Sequence, residues 1–293
     1  DSGDIRCLYV MGENPMLSDP DINHVEHALK KCEFLVVQDI FLTETAELAD
    51  VVLPATTYAE THGTFTNTER RVQLVCKAIE PVGDSREDWD IINEMMDRLG
   101  YKNNFRSASD ILDELASTSP SYGGYSFERL KKEQPQWPCP SKDHPGTPIL
   151  HVGKFSRGER AIFKPSPYIP AAELPDEEYP FVFTTGRVLY QYHTRTMTGK
   201  SEGLNNIMGN SFVEINPTDA GKLNIANSDK VNVASRRGEV TVEAHVTDKV
   251  AEGVLFMPFH YKDGPANKLT NNVIDPIAKI PEYKVCAAKI EKA

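Results

Sequence analysis

Five prolines within sixteen residues, Pro165, Pro167, Pro170, Pro175 and Pro180, divide this chain into two kinds of pattern. Proline lacks an N–H and fixes φ at about −65°, so neither a helix interior nor a central strand runs through such a stretch. Before it, short apolar runs alternate with helical periodicity. After it, apolar and polar residues alternate with a period of two, the spacing of half-buried strands.

In the first part, residues 5–10, 34–37 and 51–53 are strand candidates, and 21–31 read as a helix with Ile22, Val25 and Leu29 on one face. Short strands separated by helices predict a parallel, doubly wound α/β sheet. Ligands of such sheets sit beyond the carboxyl ends of the strands. Gly12-Glu13-Asn14-Pro15 and Gln38-Asp39 fall there. Residues 62–81 predict a loop leading to a hairpin. Residues 86–99 predict an amphipathic helix carrying Trp89, Ile92, Met96 and Leu99, with Ser85 as N-cap. A further helix is expected over 108–117. Residues 133–148, rich in Pro and Gly and holding Trp137, predict a long surface connection.

In the second part, strands are expected at 181–184, 212–215, 230–235, 239–246 and 254–257, with Arg236-Arg237-Gly238 as a hairpin turn and a short helix from Asn216 to near Leu223. Many strands with one short helix predict a closed or nearly closed β-barrel.

The net charge of −11 argues against a nucleic-acid binder. No apolar run approaches the roughly 20 residues that cross a bilayer, and no signal peptide is visible. None of Cys7, Cys32, Cys76, Cys139 and Cys286 lies in a C-x-x-C pair, so no zinc or iron–sulfur motif is offered. Cys7 and Cys286, in apolar strand-like runs, read as buried thiols. An odd count at wide spacing favours a reducing, cytoplasmic setting. The chain opens Asp-Ser-Gly-Asp rather than with Met, which predicts a processed chain or a piece of a longer one.

Residues 183–199 read Phe-Thr-Thr-Gly-Arg-Val-Leu-Tyr-Gln-Tyr-His-Thr-Arg-Thr-Met-Thr-Gly. Five threonines, two arginines, two glycines and one His offer hydroxyls, guanidinium forks and backbone N–H groups in a short span. They suit a large anionic ligand carrying phosphates. No nucleophile–base pair stands among them, so cofactor grip is expected rather than bond-making. Arg187 and Arg195 suit phosphates or ordinary ion pairs. His193 and His260 suit ligand contact or plain polar packing. Asn14 suits either a strand-to-helix turn or an amide bonded to ribose or phosphate. Asp39 suits ribose or guanine hydrogen bonds, or the cap of a helix over 43–48. Asp88 reads from sequence as a carboxylate in the first turn of its helix.

The order of these motifs resembles the molybdopterin oxidoreductases, and within them the C-terminal portion of a formate dehydrogenase catalytic subunit. The resemblance runs through residues 9–15, 36–39, 49–54, 63–71, Trp89, 185–199, 214–219 and 256–286. It implies a bis-molybdopterin guanine dinucleotide cofactor with Mo or W. The implied contacts are Asn14, Gln38, Asp39, Asp88, the run Thr185, Gly186, Arg187, Val188, Leu189, Tyr190, Gln191, Tyr192, His193 and Thr194, and then His260, Asn267 and Lys284. It implies an α/β dinucleotide-binding domain over 1–85, a helical and loop connection over 86–175, and a barrel over 176–293, of the double-psi type. Related nitrate reductases carry a Lys two residues before the glycine at 63, where this chain has Thr61.

The family's iron–sulfur cysteines, its Cys or selenocysteine metal ligand and its catalytic residues match nothing here. No catalytic residue and no metal ligand are therefore expected in this chain, which by itself would be inactive. Implied partners are the N-terminal part of the same subunit with a 4Fe-4S cluster, an electron-transfer subunit carrying Fe–S or flavin, and formate or CO2. A nitrate reductase or formylmethanofuran dehydrogenase fragment and a non-catalytic molybdopterin-binding module are the alternatives. A Rossmann-type NAD enzyme is disfavoured, because no Gly-x-Gly-x-x-Gly follows the first strand.

Overall fold

The computed structural model describes residues 2–103, 105–155 and 157–293. The chain divides into two compact units, residues 1–52 with 168–293, and residues 53–167. The expected cuts at 85 and 175 are therefore displaced. The proline cluster does hold one division, but the first α/β segment packs with the barrel rather than standing as a domain of its own.

The first unit opens with β1 (Cys7–Met11), α1 (Pro15–Ser18), α2 (Ile22–Lys30) and β2 (Phe34–Asp39). β1 and β2 are parallel, from Cys7 opposite Phe34 to Met11 opposite Gln38. The crossover is α2, whose N-cap Asp21 accepts from the His24 N–H and whose Ile22 and Leu29 are buried. Val10, Leu29, Leu35, Val37 and Ala46 form a small core. Cys7 is exposed, contrary to expectation, because it opens β1, where only Val10 reaches full burial. β3 (Val51–Pro54) completes a sheet of order β1-β2-β3.

The second unit contains the antiparallel pair β4 (Gly63–Thr66) and β5 (Val72–Val75), then α3 (Asp88–Arg98), α4 (Ala108–Thr118) and α5 (Phe127–Leu130). α3 is flanked by Glu87 rather than capped by Ser85, whose hydroxyl instead donates to Val82 O at 2.8 Å. It buries Ile91 while Ile92 and Leu99 are exposed, so the apolar stripe is rotated from the expected one. The 133–148 segment is not a plain surface connection. Cys139 is wholly buried with Val72, Leu112, Tyr125, Phe127 and Leu130, and Trp137 packs against them. Backbone carbonyls of this segment are held by two arginines. Arg70 donates to Thr147 O at 2.8 Å, and Arg129 donates to His144 O at 2.6 Å.

The chain then returns to the first unit as β6 (Phe181–Gly186), α6 (Glu202–Met208), β7 (Phe212–Ile215), α7 (Pro217–Lys222), β8 (Lys230–Ser235), β9 (Gly238–Val246), β10 (Val254–Pro258) and β11 (Cys286–Lys292). The six strands close a barrel of order β10-β6-β11-β8-β9-β7. Closure leaves no unpaired sheet edge. Alternation fills it: β8 buries Val231, Val233 and Ser235, and β6 buries Phe181, Phe183 and Thr185. β10 runs parallel to β6, so both strands deliver their carboxyl ends to the same rim. Arg236 and Arg237 form the expected two-residue turn between β8 and β9, where Ser235 pairs with Gly238.

Candidate cofactor-binding site

The threonine- and arginine-rich loop leaves β6 at this rim. Gly186 has no Cβ, and one there would stand 2.5 Å from the Phe256 ring. Beyond it the backbone enters the left-handed region at His193 (φ 45°) and Arg195 (φ 62°), which β-carbon-bearing residues rarely adopt. Such a path persists only when it is held. Gln191 is buried and donates to Met208 O at 2.7 Å while accepting from Thr198 at 2.7 Å. Arg195 donates to Asn205 Oδ1 at 2.6 Å and lies over the Tyr261 ring at 4.9 Å. The buried His260 ring accepts from the Val188 N–H at 2.9 Å and meets His193 O with its other nitrogen.

Other connections tie the barrel rim to α1. Asn267 donates to Leu17 O and Ser18 O, both at 3.0 Å, and the Tyr283 hydroxyl donates to Ser18 O at 3.0 Å. Lys284 donates to Thr185 O at 2.5 Å, and Thr185 donates to Tyr283 O at 3.1 Å. A cavity of about 490 Å³ opens between these groups, lined among others by Glu13, Asp19, Arg187, His193, Asn267 and Lys284. It holds two cations, Arg187 and Lys284. Burial first, then the neighbouring Arg187 charge, lowers the Lys284 ammonium from its ordinary value. Burial raises the Asp19 carboxyl, opposed by its bond from Ser18, and pushes Tyr283 up to about 12. Asn267 Oδ1 is buried and, among the described residues, has no hydrogen-bond partner. A second cavity of about 190 Å³ flanks the other side of the loop, with Glu44, Thr194, Arg195, Lys200, His260 and Lys262 among its lining residues.

Six expected contacts line the larger cavity: Thr185, Gly186, Arg187, His193, Asn267 and Lys284. Thr194 and His260 line the smaller. Val188 faces His260 through its N–H. Leu189, Tyr190 and Tyr192 are exposed.

Asn14 stands at the N-terminal end of α1. It is buried, its carbonyl accepts from the Thr45 hydroxyl at 2.8 Å, and its amide donates to Glu44 at 2.8 Å. Gln38 is wholly buried and accepts from the Tyr9 hydroxyl. Asp39 caps no helix over 43–48. It accepts from the Phe41 N–H at 3.0 Å, and only a single turn, Ala46–Leu48, forms downstream. Asp88 belongs to the second unit, beside His62 and Trp89 in a separate hollow. Thr61 donates to Glu87 at 2.5 Å.

Asp19, Glu44, Tyr283 and Lys262 had no local signal, because the fold brings them in from distant segments. Among the described residues, no cluster of three or more His, Cys, Asp or Glu side chains is arranged to hold a metal. Nor, among them, is any helix long and apolar enough to cross a membrane.

A molybdopterin oxidoreductase model matches residues 1–98, and a molydopterin dinucleotide binding domain matches residues 181–287. This chain belongs to the molybdopterin oxidoreductase family. The second match covers most of the barrel with the loop, Asn267 and Lys284. Among its relatives is the F420-dependent formate dehydrogenase subunit alpha of Methanocaldococcus jannaschii, 53% identical over 292 residues. Formate dehydrogenase H of Escherichia coli is 36% identical, and the assimilatory nitrate reductase catalytic subunit of Bacillus subtilis 38%. These alignments cover 98–99% of this chain but only 41–43% of those proteins. Acetylene hydratase from Pelobacter acetylenicus shares the fold, with a TM-score of 0.71 at 16% identity over 98% of this chain and 44% of that one.

Proposed function

We propose that this molybdopterin oxidoreductase chain is the cofactor-clamping, C-terminal part of a formate dehydrogenase. The observation that carries the reading is the larger cavity behind β6. Its Arg187 and Lys284 cations suit a pyrophosphate, and its Asn267 carbonyl with the Glu13 and Asp19 carboxyl groups suits the N–H donors of guanine or a pterin. The formate assignment is supported by the 50–53% identity to three F420-dependent formate dehydrogenase alpha subunits.

In this reading the cofactor is bis-molybdopterin guanine dinucleotide with Mo or W, which supplies the two-electron chemistry between formate and CO2. This chain's residues bind and orient it and exclude water. Arg187 and Lys284 neutralise phosphate charge, and Asn267 accepts an N–H bond. The Leu17 and Ser18 carbonyls, held by Asn267 and Tyr283, keep the α1 wall of the cavity closed. Asp39 at the end of β2 and Asp88 are proposed guanine or ribose contacts. The buried Asn14 and Gln38 act one layer behind, by fixing the turn that presents Glu13 and Asp39. The metal ligand, its catalytic neighbours and a 4Fe-4S cluster belong to the N-terminal part of the same subunit. An Fe–S or flavin subunit takes the electrons, in the cytoplasm. A doubly wound sheet and a double-psi barrel winding are the finer fold assignments of this reading.

The test is the complete subunit purified from its native host. Guanine nucleotide released by acid should accompany it, with formate-dependent reduction of a viologen dye. Absence of released guanine nucleotide refutes the clamp, and dye oxidation by nitrate with no response to formate refutes the formate assignment.

A further inference from the structure

We infer that His260 is the positioning residue of the cofactor loop, bracing its two ends through the backbone rather than touching the ligand. The inference rests on the proposed function above and replaces the direct contact that the family resemblance implied for this residue.

The register dictates the arrangement. β10 and β6 are parallel, with Met257 opposite Thr185 and Pro258 opposite Gly186. The Phe259 N–H donates to Gly186 O at 3.2 Å, which continues the pairing one residue past the strand. The next side chain, His260, is thereby set beside the loop that departs from β6. Its Nε2 accepts from the Val188 N–H at 2.9 Å. Its Nδ1 meets His193 O. A carbonyl only accepts, so Nδ1 carries the proton and the ring is the neutral Nδ1–H tautomer. Both nitrogens are then committed, and neither has capacity left for a ligand.

The two anchors lie at opposite ends of one excursion. Between them run Leu189, Tyr190 and Tyr192, all exposed, and the buried Gln191. Immediately outside them stand Arg187, which lines the larger cavity, and Thr194, which lines the smaller. His193 itself faces the larger cavity and sits in the left-handed region. One imidazole therefore sets the spacing of the groups on both flanks of the loop. Burial favours the neutral ring, as do Arg187, His193 and Arg195 around it, while its bond to His193 O opposes them. Glu44 and Lys262 face the same smaller cavity.

The test uses the complete, cofactor-loaded subunit with His260→Phe and His260→Gln. Phenylalanine fills the space and makes neither bond. Glutamine is uncharged and its carbonyl can accept from Val188. Backbone hydrogen exchange of a peptide over 187–194 is the first readout, and guanine nucleotide per polypeptide the second. The Phe variant should exchange at least ~10-fold faster in that peptide, as expected for losing one or two buried hydrogen bonds. It should also retain less than half the nucleotide. The Gln variant should recover most of both, and a peptide over 230–246 should be unchanged in each.

Unaltered exchange over 187–194 in the Phe variant overturns the inference. So does an equal rise over 230–246, which would make His260 a plain core residue. If the wild-type subunit carries no guanine nucleotide, the proposed function fails, and the exchange comparison still decides the role of His260.

Discussion

Replacing Asn267 with leucine separates what the barrel rim does for folding from what it does for the ligand. Leucine matches the volume but donates nothing, so Leu17 O and Ser18 O each lose a 3.0 Å bond. Ser18 O keeps the Tyr283 hydroxyl, so its loss is that of an ordinary bond, about 0.5–1.5 kcal/mol. Leu17 O loses its donor at a buried site, which costs about 1–3 kcal/mol. The sum is about 3 kcal/mol, and for a unit of this size that lowers Tm by roughly 6–12 °C. Differential scanning fluorimetry of cofactor-free protein reads this directly. The orphaned Oδ1 disappears as well, so the stabilisation gained on cofactor binding should shrink in the same variant. A cofactor-free Tm within 1 °C of wild type would refute the argument, because it would mean that α1 does not depend on the Asn267 amide.

Three further outcomes are expected. His260 is held below its ordinary 6.5, so the unfolded chain binds the proton more readily; stability should be full above pH 6.5 and fall as pH drops through 6.5 towards the folded value. Urea titrations at several pH values check the slope, which His260→Gln should reduce. Lys284→Met removes one of the two cavity cations and should weaken cofactor retention by about 10-fold or more, in keeping with a charge-assisted bond, and it also removes the bond to Thr185 O. Gel filtration in high salt followed by nucleotide analysis measures it. Gly124→Ala places a Cβ 2.3 Å from Ser141 O and 2.6 Å from Cys139 Sγ, and should destabilise residues 53–167 by about 1–3 kcal/mol, seen as faster exchange at Trp137 with β8 and β9 unaffected.

Five of the six barrel strands were legible, most clearly where every second residue is buried, as at Val231, Val233 and Ser235; β11 was not, because it buries Cys286, Ala287 and Ala288 in succession. The loop after β6 stood out by composition, with three threonines and two arginines in one irregular run. The α/β strands showed for the same reason as in any parallel sheet, as short apolar runs. Long-range pairing was not legible. Nothing near Asn14 says that Thr45 and Glu44 will take its amide, and nothing near His260 says that a parallel strand pair will deliver Val188 to it. The 133–148 segment misled because proline and glycine mark backbone shape rather than exposure. Arg70 and Arg129 supply from outside the hydrogen bonds that such a backbone cannot make for itself.

The clasp between Ser18 and Tyr283 joins residues 265 positions apart, with an entire second unit inserted between them. At about 5–20 residues per second, a ribosome needs roughly 15–50 s to travel that far. Throughout that time β1, α1 and β2 have no rim to close against, while residues 53–167 already hold their own core. The larger cavity therefore comes into being only after Tyr283 and Lys284 have emerged. A ligand can settle in that cavity only after both segments are made, and whatever protects β1, α1 and β2 in the meantime must act before then.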